Sequence, residues 1–387
     1  MDINEILFHH GEERENYFNA VSPPIIQTSN FAFDSIEDMR AQISDELYNH
    51  VYTRGNNPTV QILRRKIAEL EHAEDALITS SGAAAISIAT MAQVSSGDHI
   101  ICVDKPYSWT NKLISKLLHR FGVEYTFVDG SDINNIQNAL RPNTKVLYLE
   151  SPNSLTFELQ DLEACAKLAK SNDIITIIDN SHASPIFQNP IDYGIDLVVH
   201  SGTKYINGHS DVVMGVVCGS KKMIHKIFSS EFMTMGVNIS PNDAAMAIRG
   251  LRTIDMRVRR SDESAKEIVT YLQQHPKIKK VIYPFAEDFP QLELAKKQMR
   301  GNGGLFTIEL DAQTKDEVMR FARNINRFLL AVSWGGYESL MIPSITFHDM
   351  PGDIEDSPIP WTYVRFYIGL EDPQYLIDDL ENALAQI

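Results

Sequence analysis

The chain is poor in cysteine, in positive charge and in long apolar runs, and each shortage excludes something. Only Cys102, Cys165 and Cys218 occur among 387 residues, far apart and in apolar or helical contexts. Without paired spacing they form neither a disulfide framework nor a zinc knuckle, and they fit a reducing compartment. The 35 Lys and Arg are outnumbered by 51 Asp and Glu, for a formal charge of −16 and a pI near 5.2. Neutralising phosphates takes a basic surface, so this balance argues against a nucleic-acid partner. No run of about 18 apolar residues is present to span a bilayer. The opening stretch MDINEILFHHGEERENYF is acidic and lacks the basic, apolar and small-residue regions of a signal peptide, so a cytoplasmic location is expected. What is there is an ordinary globular mixture, 43% hydrophobic and 22% charged, able to bury a core. At roughly 150 residues per domain the length suggests two or three folding units.

Residues 1–57 read as an irregular arm, rich in Pro, Asn, Ser and aromatics, with one short helical stretch near Ser35 to Ile43. Such an arm is expected to lie across a partner subunit. Regular structure begins at Asn57-Pro58-Thr59, where Asn suits the N-cap and Pro the first helical position. From Ser80 onward short apolar runs alternate with amphipathic stretches. Strands are expected at 99–103, 123–128, 145–150, 174–179, 196–200 and 212–218, with helices at 83–94, 110–121 and 161–169. The strands are continuous apolar runs, the pattern of strands buried on both faces of a parallel sheet. The reading is a mostly parallel α/β domain over 58–245 followed by a smaller α+β domain over 246–387. The smaller domain is expected to hold helices at 261–274, 315–324 and from Pro373, and strands at 280–283, 305–310, 328–332 and 364–370. Residues 350–360 (MPGDIEDSPIP) are the most loop-like segment late in the chain.

Ligands of open α/β sheets bind beyond the carboxyl ends of the strands, so the polar residues there carry most information. The run ITII ends in Asp179, and a buried carboxylate is costly without a cation. The run DLVVH leads into Ser201-Gly202-Thr203-Lys204, and Ser80-Ser81-Gly82-Ala83 opens a helix whose free N–H groups form an anion site. Taken singly, Asp179 reads equally well as a turn residue, Lys204 as a surface lysine and SSGAAA as a tight helix contact. Together they match the needs of an aldehyde cofactor with a phosphate tail and a pyridine nitrogen: an amine, an acid and a helix N-terminus. His182, His200 and His209 straddle these residues without metal-ligand spacing, so no metal is expected and they read as packing or supporting groups. No Gly-x-Gly-x-x-Gly turn follows an early strand, which argues against a nicotinamide dehydrogenase.

Six motifs, YTRGNNPT, SSGAAA, IIDNSHASP, SGTKYINGHSD, SWGGYESL and VRFYIGLED, stand in an order and spacing similar to those of the Cys/Met-metabolism family of pyridoxal 5'-phosphate (PLP) enzymes, or trans-sulfuration enzymes. The resemblance runs from Tyr52 to Asp372. It implies the PLP-dependent transferase fold (fold type I, aspartate aminotransferase-like). It further implies that Lys204 carries the cofactor, that Asp179 faces the pyridine nitrogen, and that Gly82 and Ala83 offer N–H groups to the phosphate with hydroxyls from Ser201 and Thr203. Tyr107 matches the tyrosine stacked on the ring and a second group for proton transfer, although Ser108-Trp109 follow it where the family often has small residues. Tyr52 and Arg54 match residues that reach the neighbouring subunit's phosphate, which implies a homodimer at least and, by family habit, a homotetramer. Arg365 matches the arginine for the substrate α-carboxylate, assisted by Ser333; Trp334 reads either as a substrate contact or as core.

Within the family, SWGGYESL and ESPNSLT (Glu150 to Thr156) are closest to the bacterial cystathionine β-lyase branch, which implies β-elimination to homocysteine, pyruvate and ammonia. Two features pull the other way. Val332 stands where cystathionine γ-lyases and γ-synthases often carry Glu and methionine γ-lyases an apolar residue. Asn153 replaces the glycine common in the β-lyase branch and is placed to touch the cofactor ring. A γ-acting member is therefore the alternative. A PLP-binding regulatory protein without turnover is a remoter one, opposed by the joint presence of Lys204, Asp179 and Arg365.

Overall fold

The computed structural model describes residues 1–351 and 357–387. Two sheets organise them. The larger has seven strands in the order β1-β7-β6-β5-β4-β2-β3: β1 (Asp75–Thr79), β2 (His99–Val103), β3 (Glu124–Val128), β4 (Thr144–Glu150), β5 (Ile175–Asp179), β6 (Leu197–His200) and β7 (Gly215–Gly219). Neighbours β6, β5, β4, β2 and β3 pair in parallel, and only β7 runs against the rest. Alternate residues of each strand enter cores on opposite faces. Ile101, Leu147, Ile178 and Val198 face one core, and Ile100, Val146, Ile177 and Val199 the other. Burial on both faces explains why these strands read as unbroken apolar runs.

The smaller sheet has the order β10-β11-β12-β9-β8, built from β8 (Ile278–Ile282), β9 (Leu305–Leu310), β10 (Leu329–Leu330), β11 (Leu340–Pro343) and β12 (Tyr363–Tyr367). Its Phe306, Ile308, Val364 and Phe366 belong to the same core as one face of the larger sheet, so apolar packing runs unbroken from one sheet to the other. The long helix Ile254–Gln273 contributes Val258, Ala265 and Ile268 to that core.

Several boundaries differ from expectation for identifiable reasons. β1 has no counterpart in the sequence reading because it starts on Asp75, a charge that would be costly in a strand without a partner. Arg64 supplies one through two bonds of 2.8 and 2.6 Å. The helix expected over 110–121 starts at Ser108 and widens into a π-type segment at Leu113–Leu118. β11 was also unexpected, being a four-residue run that ends on Pro343. The first 14 residues pack on their own chain. Helix Ile3–Phe8 buries Ile6 and Leu7, and Glu12, fully buried, meets Lys66 at 3.2 Å, Arg252 at 3.2 Å and Arg14 at 2.7 Å. A buried charge of this kind is tolerated only with partners, so these contacts fix the segment to its own chain. The helix expected near Ser35 to Ile43 is present at Ile36–Ile43, capped by the Ser35 hydroxyl. Of the late loop over 350–360, residues 352–356 lie outside the described residues. Among the described residues no helix is long and apolar enough to cross a membrane.

Candidate active site

Four parallel strands deliver polar groups to one edge of the large sheet. β1 ends at Thr79 and leads to Ser81, whose hydroxyl caps the helix Gly82–Met91 by accepting the Ala84 N–H at 3.1 Å. That cap leaves the N–H groups of Gly82 and Ala83 directed out of the helix end, where an anion is stabilised. Gly82 is required there by close approach, since a Cβ would fall 2.8 Å from the Ser201 Cβ. β4 ends at Glu150, β5 at Asp179 and β6 at His200, and the next residues are the Ser201–Lys204 turn. Ser201 is held through its N–H, which donates to the Ser181 hydroxyl at 2.6 Å. The Thr203 hydroxyl is committed to the chain itself: it donates to the Met214 carbonyl at 3.1 Å and accepts the Met214 N–H at 2.9 Å.

Lys204 occupies the centre. Its Nζ donates to the Ser333 hydroxyl at 2.5 Å and lies 4.6 Å from the centre of the Trp334 ring. The same indole has the Arg365 guanidinium 5.2 Å from its centre, so one aromatic ring meets two cations. Arg365, on β12, is buried and donates to the carbonyls of Ser154 at 3.1 Å and Ser333 at 3.2 Å. The Ser333 hydroxyl thus serves Lys204, and only its carbonyl meets Arg365. The turn that does this is conformationally demanding. Ser333 has φ +88° and Gly335 +86°, and a Cβ on Gly335 would fall 2.6 Å from the Tyr205 nitrogen. Residues in this region are strained unless glycine, and they persist where the surroundings fix them.

Burial and like charges set the protonation of the site. Burial lowers the Lys204 amine to about 8, with Arg365 pushing the same way and Asp179 opposing. Burial alone lowers Arg365 to about 10. Asp179 is raised by burial, and this is opposed by its contact with Ser181, whose N–H donates at 2.9 Å, and by the nearby His200 and Lys204. Among the described residues Asp179 has no cation within ion-pair distance, so it retains its capacity for a buried protonated nitrogen. Glu150, its register partner on β4, is raised to about 8 by burial and by Asp179.

These observations fit the group that the sequence motifs imply. An unsatisfied helix end, a buried acid without an ion pair and an amine made less basic are what the phosphate, ring nitrogen and aldehyde of PLP require. Tyr107 lies within electrostatic reach of Asp179 and Glu150, which after burial raise its phenol further. Tyr52 and Arg54 are not brought to this cluster. They lie exposed on the arm, with the Arg54 guanidinium 5.5 Å from the centre of the Tyr52 ring. Asn153, expected at the ring, turns into its own loop, where its Oδ1 accepts the N–H groups of Leu155, Thr156 and Phe157 at 2.9–3.1 Å. The three histidines have separate partners: Asn302 at 2.9 Å for His182, Glu71 at 2.6 Å for His200 and the Asn207 carbonyl at 2.8 Å for His209. The sequence reading missed Glu150 as a site residue, although KVLYLE ends an apolar run in an acid just as ITIID does.

Comparison with known proteins agrees with the chemistry of this cluster. The profile of Cys/Met metabolism PLP-dependent enzymes matches residues 4–385. An L-methionine gamma-lyase of Fusobacterium nucleatum subsp. polymorphum is 39% identical over 98% of this chain and 97% of its own. The cystathionine beta-lyase MetC of Bacillus subtilis is 34% identical over 98% and 96%. The crystal structure of metB from Corynebacterium glutamicum superposes with a TM-score of 0.92 at 33% identity, covering 100% of this chain and 98% of that one. The chain belongs to the Cys/Met metabolism family, as a PLP-dependent C–S lyase with the type I fold.

Proposed function

We propose that the protein cleaves the Cβ–S bond of an L-cysteine thioether of the cystathionine kind, giving a thiol, pyruvate and ammonia. When bound, PLP supplies the electron sink that makes a substrate Cα–H acidic. Lys204 is the cofactor-bearing amine and the base that takes the Cα proton, and Asp179 faces the ring nitrogen. Gly82, Ala83 and Ser201 hold the phosphate, with Thr203 fixing the turn between them. Arg365 receives the α-carboxylate in a planar fork, for which two carbonyls already orient it. Tyr107 stacks on the ring, and Trp334, which meets both Lys204 and Arg365, contacts the substrate. The observation that carries this reading is the 2.5 Å bond from the Lys204 Nζ to the Ser333 hydroxyl. It holds one amine, lowered to about 8 and so readily neutral, at the meeting point of the acid and the arginine. β-Elimination needs only that base, which then delivers the proton to the departing sulfur.

A γ-elimination reading has two supports. Val332, beside Ser333, is apolar and 73% exposed at the mouth of the site, and the Fusobacterium relative is named a methionine gamma-lyase. Products decide between them. Cystathionine should yield pyruvate with homocysteine, whereas 2-oxobutyrate with cysteine would assign the γ course. In the same proposal Tyr52, 44% exposed, and Arg54 act on the phosphate of a second copy of the chain in a homodimer or homotetramer.

A further inference from the structure

Glu150 has no part in the chemistry described so far, yet it stands where three elements of the site meet. It ends β4 in register with Asp179 at the end of β5, so parallel strands about 4.8 Å apart set two carboxyl-bearing residues side by side. Glu150 is 5% exposed and Asp179 7%. The Glu150 Oε2 accepts the Tyr107 N–H at 2.7 Å, which ties the turn carrying the Tyr107 ring to the sheet edge. On its other side is the Ser154 N–H, and the carbonyl of that residue holds Arg365. The strand below it is fixed as well, since the Glu150 N–H donates to the Gln160 side chain at 3.2 Å.

The ionisable groups around Glu150 are all acids or weak acids: Asp179 on β5, Tyr148 on β4, Cys102 on β2 and Tyr107 on the following turn. Among the described residues no cation lies within ion-pair distance of Glu150, while Lys204 and His200 sit by Asp179. Two buried carboxylates cannot both be ionised at small cost, and the one nearer the Lys204 amine keeps the charge.

From this geometry we infer that Glu150 is a positioning residue that works as a neutral carboxyl. It holds the Tyr107 turn and leaves Asp179 as the single negative charge beneath the cofactor ring. The inference deepens the proposed roles of Lys204, Asp179 and Tyr107 and rests on them. A neutral acid still accepts the Tyr107 N–H through its carbonyl oxygen. An ionised Glu150 would instead put a second negative charge beside Asp179 at the sheet edge and raise the proton affinity of the groups there.

Glu150→Gln tests this, because it keeps the shape and one carbonyl acceptor for the backbone N–H groups, puts an NH2 in place of the acid O–H, and removes the ability to ionise. The readouts are retention of PLP on dialysis, the pH titration of the holoenzyme's visible absorbance, and kcat/KM. The neutral-carboxyl account expects Glu150→Gln to retain PLP, to shift the absorbance midpoint by less than about 0.3 pH unit and to keep kcat/KM within about threefold. Glu150→Ala, which drops the Tyr107 turn, should lose about tenfold or more in kcat/KM and release PLP faster. A Glu150→Gln protein that fails to fold, or whose midpoint moves by about one unit or more as expected when a nearby charge is removed, overturns the inference. So does one as impaired as Glu150→Ala. A wild-type protein that never takes on colour would instead sink the underlying reading of Lys204, so the two failures are distinguishable.

Discussion

The two walls of the site face opposite electrostatic problems. On the large-sheet wall two carboxyl groups, Asp179 and Glu150, end neighbouring strands; burial makes both less acidic, and Asp179 adds to this at Glu150. On the small-sheet wall Arg365 lies beside the indole that also meets Lys204, and it depresses the basicity of that amine. Lys204, on the turn after β6, stands between the two, within electrostatic reach of Asp179 on one side and of Arg365 on the other. Groups paired in this way are poised for proton transfer near neutral pH, which fully solvated acids and amines are not. The difference also lies in the backbone. The acidic wall is regular strand, made precise by sheet register. The cationic wall depends on a turn with two residues at positive φ, Ser333 and Gly335, clamped against Lys204.

The comparison breaks most completely at Lys204. Lys204→Ala should reduce kcat/KM by about 10^4-fold or more and abolish the visible absorbance, read by steady-state assay and spectroscopy. Arg365→Ala removes the other cation of the site, which bonds to no hydroxyl. It should lower kcat/KM by about 100-fold while PLP stays bound, and loss of PLP instead would show that the arginine belongs to the cofactor. Ser333→Ala frees the amine without changing any charge, and a loss of about tenfold, mainly in kcat, is expected.

The smallest effect concerns pH. Imine formation needs a neutral amine, and Lys204 is lowered to about 8, so the rate at which apoenzyme takes up PLP should rise with pH, be half-maximal near 8 and level off above that. An unperturbed lysine would keep gaining until about 10.4. Because Arg365 lowers the amine, Arg365→Gln should move the levelling point to higher pH, by about one unit. A shift to lower pH would contradict the assignment of charges to walls.

The acidic wall was the more legible from sequence. Unbroken apolar runs marked β2, β4, β5 and β6, and a polar residue at the end of such a run announces itself, as Asp179 did. Glu150 has the same signature but stood in a motif read for its branch of the family, which hid its burial. The cationic wall was less legible. Arg365 and Ser333 are 32 positions apart, and nothing in their spacing says that the hydroxyl serves Lys204 and the carbonyl serves the arginine. That division is made by the positive-φ turn, which composition alone does not encode. The anchoring of the first residues was illegible for a related reason. Its anchor is a charge pair between Glu12 and Lys66, buried by tertiary packing although each residue type is usually exposed.

Reduction of the holoenzyme with borohydride, followed by peptide mass spectrometry, tests the account's centre most directly. The prediction is a single reduced pyridoxyl-phosphate adduct on the peptide containing Lys204, lost in Lys204→Ala. An adduct on another lysine, or none in a preparation with full occupancy of PLP, would contradict it.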